Sequence, residues 1–238
     1  MPQDDLFPMP QPRPTAKRPL KGQTVLLVED SLTASESLRL MCNHSGARLR
    51  RADCLASARR HLAVYLPSIL LVDMTLPDGS GANLIRDMKH LRTRLPVILA
   101  LSAHLDAEGE AIAAGADGFL AKPLRSVDAF QMALLSHLPD VAQKLGPRKL
   151  TDSAIAPTPE ALHHDLETAA NLMIDNADGR DLDYAVNFIS ALARENRDAA
   201  LSDAVEALRR NGAGGGMRRK VSCLLRERIN RTTQVMHA

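Results

Sequence analysis

The chain has 238 residues, 45% of them hydrophobic, and 30 Lys and Arg against 28 Asp and Glu leave a net charge of +2. That length supports one well-buried domain plus an extension or a second small unit, and near-neutral charge excludes a whole-chain electrostatic case for nucleic acid or membrane. The three cysteines, Cys42, Cys54 and Cys223, form no C-x-x-C pair, which argues against a disulfide framework or thiolate zinc site and for a reducing, cytoplasmic compartment.

Residues 1–21 carry Pro2, Pro8, Pro10, Pro12, Pro14 and Pro19 without the apolar run of a secretory signal, and read as a disordered tail. Between residues 22 and 138, strand patterns at 24–28, 47–52, 69–73, 96–101 and 118–121 alternate with helical patterns at 32–45, 55–65, 81–92, 106–114 and 126–137. The runs Val25-Leu26-Leu27-Val28 and Ile69-Leu70-Leu71-Val72 are unbroken branched aliphatics. Such runs form strands buried on both faces, and strict alternation with helices predicts an α/β fold, a doubly wound five-stranded parallel sheet. Pro77-Asp78-Gly79 supplies a turn after the third strand.

Pro139, Gly146, Pro147, Pro157 and Pro159 mark 139–159 as a linker. Residues 160–238 then read as an all-α extension. Helices are expected over 160–175, over 182–210 with a bend near Asn196, and over 217–231 after the Gly212 to Gly216 break. Each has one apolar side, to be buried against its neighbours, against the first domain or across a homodimer, so the segment reads as an interaction or dimerisation region. Its charge is uneven. From Glu160 to Leu208 eleven acids stand against three bases, whereas 217–231 holds six bases against Glu227. The basic helix raises the alternative of a DNA-binding transcriptional regulator, but its bases spread around the circumference and no helix-turn-helix precedes it. No transmembrane pattern is present.

Ligands of open parallel sheets bind outside the carboxyl edge, and three acids end strands there: Glu29 and Asp30 after the first, Asp73 at the end of the third. Carboxylates converging at close range repel, and a hard divalent cation, Mg²⁺ above others, relieves them. Lys122 follows the fifth strand and can pair with Asp73 or with a phosphoryl oxygen on it; Ser102 ends the fourth and can donate a hydrogen bond into the same space. Taken singly these are a loop acid, helix caps and a surface lysine. Their joint pattern carries the chemistry.

The acidic pair, Asp73 followed by Met-Thr-Leu-Pro-Asp-Gly-Ser-Gly, Ser102-Ala103 and Lys122-Pro123 stand in the order found in one family. Residues 22–138 closely resemble the receiver domain of bacterial two-component response regulators. The resemblance implies a flavodoxin-like receiver fold and a phosphoacceptor signalling protein that catalyses only its own phosphorylation and dephosphorylation. Asp73 would take a phosphoryl group from a sensor histidine kinase or a histidine phosphotransfer protein in a phosphorelay. Asp30 and Asp73 would hold Mg²⁺, with Glu29 acting through water and the backbone carbonyl of Thr75 completing the protein ligands. Lys122 and Ser102 would bind phosphoryl oxygens. Ser102 and Phe119 would form the switch, although Phe119 lacks the hydroxyl many relatives carry there, and Thr75 and His104 would tune the lifetime of the aspartyl phosphate. A phosphohydrolase of the haloacid dehalogenase type would need a second Asp two residues after Asp73, where Thr75 stands. His163 and His164 lack the lysine that follows a phosphotransfer histidine by three residues.

Overall fold

The computed structural model describes residues 13–90, 95, 97–138, 157–175, 179–211 and 215–237. Five parallel strands, β1 (Thr24–Val28), β2 (Arg48–Ala52), β3 (Ile69–Asp73), β6 (Val97–Ser102) and β7 (Gly118–Ala121), lie in the order β2-β1-β3-β6-β7. Helices α1 (Leu32–Ser45), α2 (Leu55–Val64), α3 (Gly81–Lys89), α4 (Ala107–Ala114) and α5 (Val127–Leu135) cover both faces. Strand period two sorts the apolar runs. Leu27, Leu71 and Leu99 join Leu38, Met41 and Phe130 beneath α1 and α5, while Leu26, Leu70 and Ile98 join Leu55, Leu84 and Ile85 beneath α2 and α3. Every residue of β3 is buried, which is why its run is unbroken.

A two-residue hairpin, β4 (Thr75–Leu76) with β5 (Gly79–Ser80), follows β3 where a plain turn was expected. It returns the chain so tightly that a Cβ on Gly81 would stand 2.1 Å from the backbone oxygen of Asp73, so only glycine fits beside that residue. The Asp78 carboxylate accepts from the Leu55 and Ala56 amides at 2.8 and 2.9 Å and holds the hairpin to the start of α2.

Described structure begins before the expected tail boundary of 21. Thr15 and Arg18 close a turn, Leu20 is fully buried in the core beneath α1, and its amide donates to the Ser45 carbonyl at 2.9 Å. Residues 1–12 lie outside the described residues, as does the expected linker through 156. The third helix ends at Lys89, short of the expected 92, with residues 91–94 outside the description.

The described chain resumes at residue 157 with α6 (Pro159–Asp175), α7 (Gly179–Glu195), α8 (Ala199–Asn211) and α9 (Gly215–Met236). The expected bent helix over 182–210 is two helices. Arg197 takes a left-handed φ of 55°, the Asp198 amide reaches back to Ala193 O at 2.9 Å, and the Asp198 carboxylate caps α8 through Leu201 N at 3.0 Å. Glycine occupies that backbone conformation without steric cost, so Arg197→Gly should stabilise the helical unit by about 0.5 to 1 kcal/mol, read from the midpoint of a urea melt. The four helices share a core of their own built on Leu166, Ile189, Leu192, Val205, Val221 and Leu225. No described helix is long and apolar enough to cross a membrane.

Candidate functional site

Parallel register decides which side chains meet. Val28 pairs with Val72, so the residues that follow emerge side by side at the carboxyl edge. Glu29, Asp30 and Asp73 each offer an oxygen such that all three lie within 4.8 Å of one another. Lys122, leaving β7, reaches over with its ammonium 2.7 Å from Asp73 Oδ2 and 2.8 Å from Glu29 Oε2. Both pairs are almost completely withdrawn from solvent. The expected partnership of Lys122 with Asp73 is present; its equal partnership with Glu29 was not foreseen.

Other groups trim the cleft. Thr75 N donates to Asp73 Oδ1 at 3.2 Å, and the Ser102 hydroxyl accepts from His104 N at 3.0 Å, which leaves its proton free to be donated. Arg51 binds the carbonyls of Glu29 and Asp30 at 3.0 and 2.6 Å and fixes the loop that carries both acids. Glu29, Asp30, Asp73, Thr75, Ser102, His104 and Lys122 all line one cleft. Phe119 does not line it and packs half-buried against the core face under α3 and α4.

One ammonium cannot neutralise three carboxylates. Burial pushes Glu29 well above the usual carboxylate range, against the pull of Lys122, and Asp73 and Asp30 push it further. Asp30 is raised to about 6 by burial and then by Asp73. Burial alone would lower Lys122, yet Asp73 and Glu29 outweigh it and raise its pKa. His104 is lowered by burial and by the guanidinium groups of Arg209 and Arg194. Residual negative charge, oxygen donors only and a rigid sheet edge fit a hard divalent cation.

The helical unit also reaches this site, and no local sequence signal announced it. Asp165 on α6 is buried and accepts from Ser31 Oγ at 2.8 Å, Leu32 N at 3.0 Å and Thr33 N at 2.8 Å, so it caps α1 from 132 to 134 residues away. Tyr184 on α7 donates its hydroxyl to Asp30 Oδ2. Arg194 donates to the Ala103 carbonyl, while Arg125 donates to Arg194 O at 3.0 Å. Phe188, Leu192 and Glu195 of α7 complete the cleft wall. His163 spends its ring on Thr232 at 2.8 Å and on Glu167 at 3.3 Å, tying α6 to α9.

Residues 25–133 match the family model described as the response regulator receiver domain. The chain is 31% identical over 99 residues to the KDP operon transcriptional regulatory protein KdpE of Escherichia coli K12, covering 42% of this chain and 44% of that protein. It is 31% identical over 124 residues to the virulence transcriptional regulatory protein PhoP of Salmonella typhimurium, covering 51% and 55%. The chain thus spans about half the length of the curated relatives it matches. Among solved structures it is similar to the receiver domain of sensor histidine kinase PA1611 from Pseudomonas aeruginosa PAO1, determined with a magnesium ion in its active site cleft. That likeness is 26% in sequence with a TM-score of 0.44, covering 48% of this chain and 95% of that one.

Proposed function

Residues 25–133 belong to the response regulator receiver domain family, and from that premise we propose that the chain accepts a phosphoryl group on Asp73 from a phosphohistidine of a sensor kinase or phosphotransfer protein. The observation that carries this reading is the Lys122 ammonium 2.7 Å from Asp73 within a cluster of three carboxylates. Transfer of this kind needs positioning and charge neutralisation and little else. An Asp73 oxygen attacks phosphorus in line, the P–N bond to the imidazole breaks, and the imidazole leaves with its electron pair. Lys122 then holds one phosphoryl oxygen and the Ser102 hydroxyl donates to another.

Mg²⁺ would be held by Asp30, Asp73, the Thr75 carbonyl and, through water, Glu29; when bound it neutralises phosphoryl charge. The doubled grip of Lys122 on Glu29 and Asp73 keeps the acceptor oriented before a donor arrives. His104, its imidazole biased toward the neutral form, and Thr75 would set access of water to the aspartyl phosphate. Ser102 and Phe119 would carry the switch, and the helical region would pass it to a protein partner or a second copy in the cytoplasm. DNA reading by α9 has less support, because Arg228 is spent on Asp198 at 2.6 Å, Arg231 on Glu227 and Arg218 on the Met173 carbonyl.

Prolonged incubation with acetyl phosphate and Mg²⁺ should add the mass of one phosphoryl group to the intact chain, and Asp73→Asn should abolish the gain. Failure of the unsubstituted chain to gain that mass, or an undiminished gain in Asp73→Asn, would refute the assignment.

A further inference from the structure

A receiver site that exchanges phosphoryl groups must be reachable by an imidazole from outside, yet here α7 lies across it. The space left between the carboxylates and this helix is about 20 Å³, enough for a water molecule and far too small for a phosphohistidine. Phe188, 7% exposed, stands against Tyr184 with ring centroids 6.1 Å apart, so an aromatic pair roofs the acids. The roof is held by directed contacts on three sides of the cleft: Asp165 on the start of α1, Tyr184 on Asp30, and Arg194 on Ala103. Asp30 has both oxygens engaged, Oδ1 by the Ser31 amide at 3.0 Å and Oδ2 by the tyrosine hydroxyl. A phenol proton supplies partial positive charge where a cation would otherwise supply a full one, and two positive groups cannot share that place.

We propose that α7 is an intramolecular cap on the acidic centre, with Tyr184 occupying the place on Asp30 that a divalent cation needs, so that cation or phosphoryl binding and cap docking exclude each other. The inference rests on the cation reading given above and adds its regulation. The capped chain is a resting form, and a ligand of the acidic centre releases α6 to α9 as one unit because they share a core. The surface uncovered on release, with Tyr184, Phe188 and Leu192, is the one offered to a partner. The apparent affinity for cation is reduced by the fraction of chains that are capped.

Mg²⁺ titration of the full chain by calorimetry, paired with hydrogen exchange of its peptides, tests this. Tyr184→Phe, which keeps the ring and removes the hydroxyl, should tighten Mg²⁺ binding about fivefold to tenfold. Arg194→Ala, which loosens the cap without touching the acids, should tighten it by a similar factor. Saturating Mg²⁺ with beryllofluoride should speed exchange in peptides from α7 and the first turn of α1 while leaving β3 protected. Equal Mg²⁺ affinity in all three proteins, or unchanged exchange at α7 and α1, overturns the cap. Failure of every variant to bind Mg²⁺ overturns the cation reading beneath it as well, so the two failures are distinguishable.

Discussion

Lys122→Met should lower the unfolding free energy of the receiver unit by about 3 to 5 kcal/mol near neutral pH, because it strips the counter-charge from Glu29 and Asp73 while both stay buried. The loss should shrink on acidification. Glu29 and Asp30 have folded pKa values above their unfolded ones, Asp30 at about 6, so the folded state binds more protons than the unfolded state between the two values. Stability drawn from these groups is therefore present at low pH and lost as pH rises through their folded pKa. Without Lys122 the Glu29 value rises further, which widens that window. Urea melts followed by circular dichroism at about pH 7.5 and about pH 5 should show a larger gap between variant and wild type at the higher pH. Millimolar Mg²⁺ should close part of the gap at the higher pH by replacing the missing positive charge. A gap independent of pH would mean that the lysine acts through packing of its stem and not through charge.

Asp165→Ala should cost about 2 to 4 kcal/mol, the second largest loss expected from a single side chain. Three donors at the start of α1 would lose their acceptor at once: Ser31 Oγ, Leu32 N and Thr33 N. Thr33 is fully buried, so water cannot take over until α6 moves away. The cost is therefore bounded by undocking, which exposes the amides and lets solvent satisfy them. Exchange of the Leu32 and Thr33 amides should accelerate by on the order of tenfold to a thousandfold, while Leu70 and Leu71 stay protected. Asp165→Asn, which keeps a carbonyl oxygen, should fall between alanine and wild type. Unchanged exchange at Leu32 and Thr33 in the alanine variant would show that the cap on α1 contributes nothing to docking.

Most of the receiver fold was legible before any coordinates. Val25 to Val28 and Ile69 to Val72 declare their strands because burial on both faces permits nothing but apolar side chains. Convergence of Glu29, Asp30 and Asp73 was legible too, since strand ends in a doubly wound sheet place residues by topology alone. The helical region was harder. Its apolar stripes and a bend near Asn196 were readable, yet the full stop into two helices at Arg197 was not, because a left-handed residue inside a run of polar side chains leaves no mark on helical periodicity.

Composition and short-range pattern thus settled the five parallel strands, the helices between them and the acidic centre, because propensity, periodicity and strand-end position act over a few residues or follow from connectivity. What lay across that centre was decided only when two finished units docked. Asp165 meets Ser31 across 134 residues and Tyr184 meets Asp30 across 154. Nothing near either residue in the chain favours one distant partner over another. Such contacts depend on the shapes and unsatisfied donors of surfaces that exist only after each unit has folded.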